Sequence, residues 1–203
     1  MRFYLSSHKL GNETEKLKNL IPSGKKIGLI PNAIDYVEIE ERRVRTEQSK
    51  NDLRNIGIEV EILDLQEYFD KKEELKKKIK ELGGIWVRGG NTFVLRKAMA
   101  LSGLDNILKN MKRRDFLYGG YSAGGCVLSP KLDHLQNVDK PYDIPYKDKE
   151  VIWEGLGLID FAFLPHYKSD HPESKHVDED VEYCKKNKIS FKALRDGEVI
   201  IIE

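Results

Sequence analysis

Cysteine is scarce in this chain: Cys126 and Cys184 are the two in 203 residues. Two thiols cannot build a disulfide framework, and their spacing is not that of a metal site. Such cysteine usage fits a reducing, cytoplasmic setting. Long apolar runs are missing as well. No stretch approaches the roughly 18 residues of a membrane span, and Met1–Ser7 is too short and too polar for a secretion signal. Neither export nor a membrane anchor is expected. An excess of one charge is also absent: 35 Lys and Arg balance 34 Asp and Glu, net +1. The composition therefore makes no general electrostatic case for nucleic acid. Internal repeats and low-complexity tracts are lacking too. With 39% hydrophobic residues, the chain reads as a soluble globular protein. Its length suits one domain, 1–203, with a sheet covered on both faces.

The apolar runs set the order of elements. Strands are expected at Arg2–Ser6, Lys26–Ile30, Ile58–Leu63, Gly84–Val87, Phe116–Gly119 and Phe161–Leu164, several apolar enough for buried parallel positions. Helices are expected between them: Thr14–Leu20, a charged surface helix over Asp35–Asn55, Lys71–Leu82 with Leu75, Ile79 and Leu82 on one face, one starting near Thr92, Leu104–Met111, and Glu173–Asn187. Leu128–Tyr146 is rich in Pro, Asp and Lys and reads as a long surface excursion, of the kind that is often functional. Ile189–Ala193 and Glu198–Ile202 read as closing strands joined by an Asp196-Gly197 hairpin turn. Alternating strands and helices imply a mostly parallel α/β sheet, which binds ligands at the carboxyl ends of its strands.

Three suggestive places fall at such ends. Gly120-Tyr121-Ser122-Ala123-Gly124 fits a nucleophile elbow, G-x-S-x-G, where a serine sits in a tight strand-to-helix turn between small neighbours. Gly89-Gly90-Asn91 lets backbone N–H groups approach a reacting carbonyl. Asn91 or Thr92 also suits a helix N-cap, and the two roles are compatible. Pro165-His166-Tyr167 supplies a histidine after an apolar strand, and serine needs such a base to react near neutrality. His8 could also approach the site. A carboxylate must orient the base. Glu173, Asp170 and Asp178 follow His166, while Asp133, Asp139 and Asp143 follow the serine, and periodicity does not choose among them.

These residues together resemble the dipeptidase E and cyanophycinase group of serine peptidases. The similarity is carried by Gly89-Gly90-Asn91-Thr92-Phe93, by Gly120-Tyr121-Ser122-Ala123-Gly124, and by Pro165-His166-Tyr167 with His171-Pro172-Glu173-Ser174. It runs in order through most of the chain. The resemblance implies a three-layer α/β/α sandwich, flavodoxin-like and similar to the class I glutamine amidotransferases, with a mostly parallel sheet. It implies Ser122 as nucleophile, His166 as base and Glu173 as third member, with an aspartate of the excursion such as Asp139 competing for that place. Gly90 and Ala123 would donate to the oxyanion, with Asn91 and Arg88 beside the substrate. Arg88, Lys168 or Arg96 would hold a substrate carboxylate.

The expected activity is hydrolysis of small peptides, dipeptides with an N-terminal aspartate among them, without metal or organic cofactor, by a monomer or homodimer. Tyr121, Gly125-Cys126 and Lys131-Leu132-Asp133-His134 depart from the close dipeptidase pattern and bear on aspartyl specificity. Two other readings share the fold: an amidotransferase-like hydrolase, for which Cys126 is poorly placed, and a non-catalytic ligand-binding or regulatory protein.

Overall fold

The computed structural model describes residues 1–113 and 115–203. Among them the apolar runs form the strands and the charged runs the helices between. In chain order these are β1 (Arg2–Ser6), α1 (Thr14–Asn19), β2 (Ile27–Ile30), α2 (Ile39–Asn55), β3 (Val60–Ile62), α3 (Lys72–Glu81), β4 (Gly84–Val87), α4 (Thr92–Ser102) and α5 (Leu104–Lys109). Then come β5 (Leu117–Tyr121), α6 (Ala123–Cys126), β6 (Ala162–Leu164), α7 (Ser174–Lys186), β7 (Phe191–Ala193) and β8 (Val199–Ile202). Strand order in the main sheet is β3-β2-β4-β5-β1-β8, and β6 pairs with β7 separately. All pairs in the main sheet are parallel except β1 with β8.

Strands β2, β4 and most of β5 are buried along their whole length. Apolar side chains therefore point to both faces, and each face needs its own cover. One core gathers α3, α4, α5 and much of the chain after α6. The other packs Leu17 of α1 and Leu53 of α2 against Tyr4, Leu29 and Trp86. Helices on both faces of a parallel sheet make the expected α/β/α sandwich. α2 lies on the surface as its composition implies: Thr46, Ser49 and Leu53 are its buried residues. No helix among the described residues is long and apolar enough to cross a membrane.

Two expectations fail. Asp196-Gly197 does not join a hairpin. A turn is present, with Glu198 N–H donating to Arg195 O, but β7 pairs parallel to β6 while β8 pairs antiparallel to β1. The chain crosses from one sheet to the other at this turn. Nor is Leu128–Tyr146 only a surface excursion. Leu132, Leu135, Ile144 and Tyr146 are buried, and this segment covers part of the core instead of a regular helix.

A polar cluster fixes the C-terminal ends of β2 and β3. Asn32 donates through Nδ2 to Asp35 and Asp64 and accepts from Leu65 N–H. Arg42 of α2 bridges the same two carboxylates at 2.6 and 2.7 Å, and Tyr146 donates its hydroxyl to Asp35. The cluster ties the segment after α6 to the strand ends where the candidate site lies.

Candidate active site

Small residues let β4, β5 and α6 approach closely enough to shape the elbow. β4 and β5 are parallel neighbours in register, Val87 beside Gly120. A Cβ on Gly124 would lie 2.3 Å from Val87 O, so helix α6 starts almost touching β4. A Cβ on Gly89 would lie 2.7 Å from the Tyr121 ring and 3.0 Å from Ser122 Cβ. The loop after β4 thus rests directly on the elbow.

Ser122 occupies that turn at φ 48°, ψ −119°. Positive φ in a residue with a side chain is strained and is held only when the surroundings over-determine it. Here Ser122 N–H donates to Ser6 O, and Ser122 O accepts from Gly125 and Cys126 N–H. Its hydroxyl does not cap α6 and is left for other use. Gly90 stands at φ 147° against Ala33, where a Cβ would come within 2.4 Å of the carbonyl oxygen. Among the described residues, neither Gly90 N–H nor Ala123 N–H has a backbone partner.

Asn91 is the N-cap of α4. Its Oδ1 accepts from Phe93 and Val94 N–H, and Nδ2 donates to Lys140 O. Its amide is thereby committed to the helix and to the loop. Asp139 completes the same junction, accepting from Thr92 N–H at 2.8 Å. Burial raises its carboxyl to about 6, against the lowering effect of the Thr92 hydrogen bonds. The structure gives this aspartate to a helix start, not to His166.

His166 follows β6, is 2% exposed and also has positive φ, 61°. Its N–H donates to Ser7 Oγ, and Ser7 donates its hydroxyl to Asp196 Oδ1. The His166 Nδ1 lies 2.7 Å from that same Oδ1. Asp196, the residue read from sequence as a turn former, is therefore the carboxylate that reaches His166 Nδ1. Glu173 stands at the other edge of the ring, its Oε2 3.9 Å from Nε2. Burial pushes His166 down to about 4, helped by the His171 charge and opposed by Asp196. Burial raises Asp196, but the Ser7 and His166 hydrogen bonds and the nearby imidazole charges bring it below the usual carboxylate range. The pair therefore favours neutral imidazole beside ionised carboxylate. Glu173 is pushed to about 7 by burial and then by the charges of Asp139 and Asp196.

The candidate cations separate. Arg96 is structural, bonded to Glu154 O and paired with Asp105. Lys168 lies over the Tyr167 ring. Arg88 donates to Gly89 O at 2.6 Å, and its buried Nε has no partner among the described residues. Around Tyr36, burial raises the phenol; Arg45 and Arg88 pull it down, and Asp139 and Glu173 push it up. Charges of both signs thus act on Tyr36. Cys126 is buried, bonds to Phe163 O, and burial holds its thiol far above the usual range.

Comparison with known proteins agrees with this architecture. The model of peptidase family S51 matches residues 5–203. The uncharacterized peptidase Lmo0363 of Listeria monocytogenes is 29% identical, over 77% of each chain. Peptidase E of Streptomyces coelicolor is 27% identical over 96% of this chain and 74% of its own. A Drosophila melanogaster protein named "Probable alpha-aspartyl dipeptidase" is 33% identical over 53% of this chain and 42% of its own. A crystal structure from Listeria monocytogenes EGD-e, described under the name Peptidase E, superposes with a TM-score of 0.74 at 24% identity. It covers 100% of this chain and 98% of that one, and so shares the fold. With the family model spanning nearly its whole length, the chain belongs to peptidase family S51 and is a peptidase.

Proposed function

We propose that this peptidase is of the serine type and hydrolyses small peptides through an acyl-enzyme on Ser122, dipeptides with an N-terminal aspartate among them. The observation that carries the reading is the strained Ser122, its hydroxyl uncommitted, at the end of β5, in a chain whose His166 is held by Asp196. In this mechanism Ser122 Oγ attacks the peptide carbonyl and His166 Nε2 takes its proton. Asp196 keeps the other proton on Nδ1 and stabilises the imidazolium. Gly90 and Ala123 N–H groups bind the oxyanion. The imidazolium then protonates the leaving amine, and water, deprotonated by the same histidine, hydrolyses the acyl-enzyme.

Substrate recognition follows the charges around Tyr36. Arg88, with an unpartnered Nε, takes a substrate carboxylate, and Glu173 faces the α-ammonium. The name carried by the Drosophila relative supports a short aspartyl peptide as substrate. The high thiol pKa of buried Cys126 weighs against an amidotransferase-like thiol mechanism, because thiolate is the reactive form. The test pairs a fluorophosphonate probe with a panel of dipeptides of varied first residue. Labelling of Ser122 and loss of turnover in Ser122→Ala, by up to about 10⁶-fold, are expected. Full turnover in Ser122→Ala would end this reading. Absence of both labelling and turnover would favour a non-catalytic binding protein.

A further inference from the structure

Three of the five histidines meet at one point. His8, His166 and His171 each offer a ring nitrogen, and the three nitrogens lie within 4.8 Å of one another. The His166 and His171 rings stack at 3.7 Å with 7° between planes. His8 approaches both edge-on, at 5.7 and 5.6 Å between centroids. We infer that this cluster is an inhibitory site for a d-block divalent cation such as Zn²⁺, which takes the Nε2 lone pair of His166 and so removes the base from Ser122. The inhibitory part rests on the serine peptidase reading; the metal site itself does not.

The chemistry of the donors favours such an ion. Imidazole suits zinc, copper, nickel and cobalt, whereas magnesium and calcium require oxygen ligands. A metal-bound histidine usually passes its second nitrogen to a carboxylate, which fixes the tautomer and strengthens the donor. His166 has that arrangement, with Asp196 2.7 Å from Nδ1. The remaining nitrogen, Nε2, is the one the metal would take. Glu173 Oε2, 3.9 Å from it, stands nearby as an oxygen donor.

Binding requires a small rearrangement. Zinc–nitrogen bonds of 2.0–2.1 Å at tetrahedral angles place donor atoms about 3.4 Å apart, and parallel stacked rings do not aim at one point. His166 is buried and fixed by Ser7 and Asp196. The half-buried His8 and His171 are the rings that turn. His171 gives up its stacking on His166 and one long contact, 3.3 Å from Glu173 N–H to its Nδ1. An open cavity of about 540 Å³ lined in part by His8 and Asp196 gives the ion an approach from solvent.

The test titrates purified full-length protein with Co²⁺ and reads the visible d–d absorption of a low-symmetry imidazole site. Saturable absorption is expected in the wild type and in Ser122→Ala. It should be lost in His8→Asn and in His171→Asn, made separately so that one misfolded variant does not decide. His176→Asn, at an exposed position on α7, should match the wild type. Asp196→Asn should weaken the affinity by about 10–100-fold. In parallel, Zn²⁺ should inhibit dipeptide hydrolysis reversibly, with EDTA restoring it. The His8 and His171 variants should resist Zn²⁺ relative to their own metal-free rates. No cobalt spectrum, or one unchanged in both variants, overturns the metal site. Cobalt binding without zinc inhibition overturns its inhibitory role. Cobalt binding in a protein whose Ser122→Ala variant still turns over leaves the metal site standing and rejects the serine mechanism instead.

Discussion

Asp196 holds His166 by a 2.7 Å contact at Nδ1 although the two residues lie 30 apart in the chain, and Ser7 bonds to both of them. Replacing Asp196 by Asn should therefore remove the tautomer control and lower kcat by on the order of 10³- to 10⁴-fold. Glu173→Gln, at the far edge of the ring, should act mainly on KM. Steady-state kinetics of the two variants on an aspartyl dipeptide decides between these carboxylates. If Glu173→Gln shows the larger loss in kcat, the roles are reversed.

Activity should survive well into acid. In the proposed mechanism His166 must be neutral to take the Ser122 proton, and it is held near 4 rather than 6.5, by burial and then by the His171 charge. The acidic limb of the kcat/KM profile should accordingly fall below the ordinary histidine range, as a pH–rate series would show. Stability follows the same group with a definite sign. Between about 6.5 and 4 the unfolded chain binds the proton that folded His166 refuses, so stability declines as pH falls through that window. His134, lowered to about 4 chiefly by burial, adds to the decline.

Asp180 should weaken the fold in alkali. It is 1% exposed, and neither carboxyl oxygen has a partner among the described residues. Burial and then the Asp139 and Glu179 charges raise it to about 8. A raised acid stabilises the folded state below its unfolded pKa, and that contribution is lost progressively as pH rises from the ordinary carboxylate range to about 8. Asp180→Asn should leave the Tm near pH 5 little changed and lift it at pH 9. Thermal melts across that range measure the difference.

Arg42 keeps Asp35 and Asp64 together at the strand ends. Arg42→Met leaves both carboxylates without their cation, and breaking such a partly buried pair costs about 3–5 kcal/mol. Urea unfolding near pH 7 should show that loss.

The strands and the tight turn at Ser122 were legible because each has a local cause. A buried parallel strand is a continuous apolar run, and a turn pressed against its neighbour must use glycine, as Gly89, Gly90 and Gly124 do. Asp196 was not legible as the partner of His166. Asp-Gly reads locally as a hairpin turn, and only the assignment of β7 and β8 to different sheets takes this aspartate to the histidine. Asp139 failed as a triad candidate for the converse reason: the start of α4 competes for it. The buried positions of Leu132, Leu135, Ile144 and Tyr146 follow no helical or strand period, so composition alone made their segment look like surface. The convergence of His8 with His166 and His171 spans nearly the whole chain and leaves no local trace.

Gly125 has a consequence for the spacing of the site. The serine hangs from the large sheet, while the histidine follows a strand of the small one. Where the two meet, Gly125 faces the Phe163 ring, and a Cβ there would lie 2.6 Å from the ring edge. The separation of Ser122 from His166 is thus a matter of thickness, gauged by a missing methyl group. Gly125→Ala would act as a shim: it would leave Ser122 and His166 in the chain, yet drive apart the two sheets that carry them.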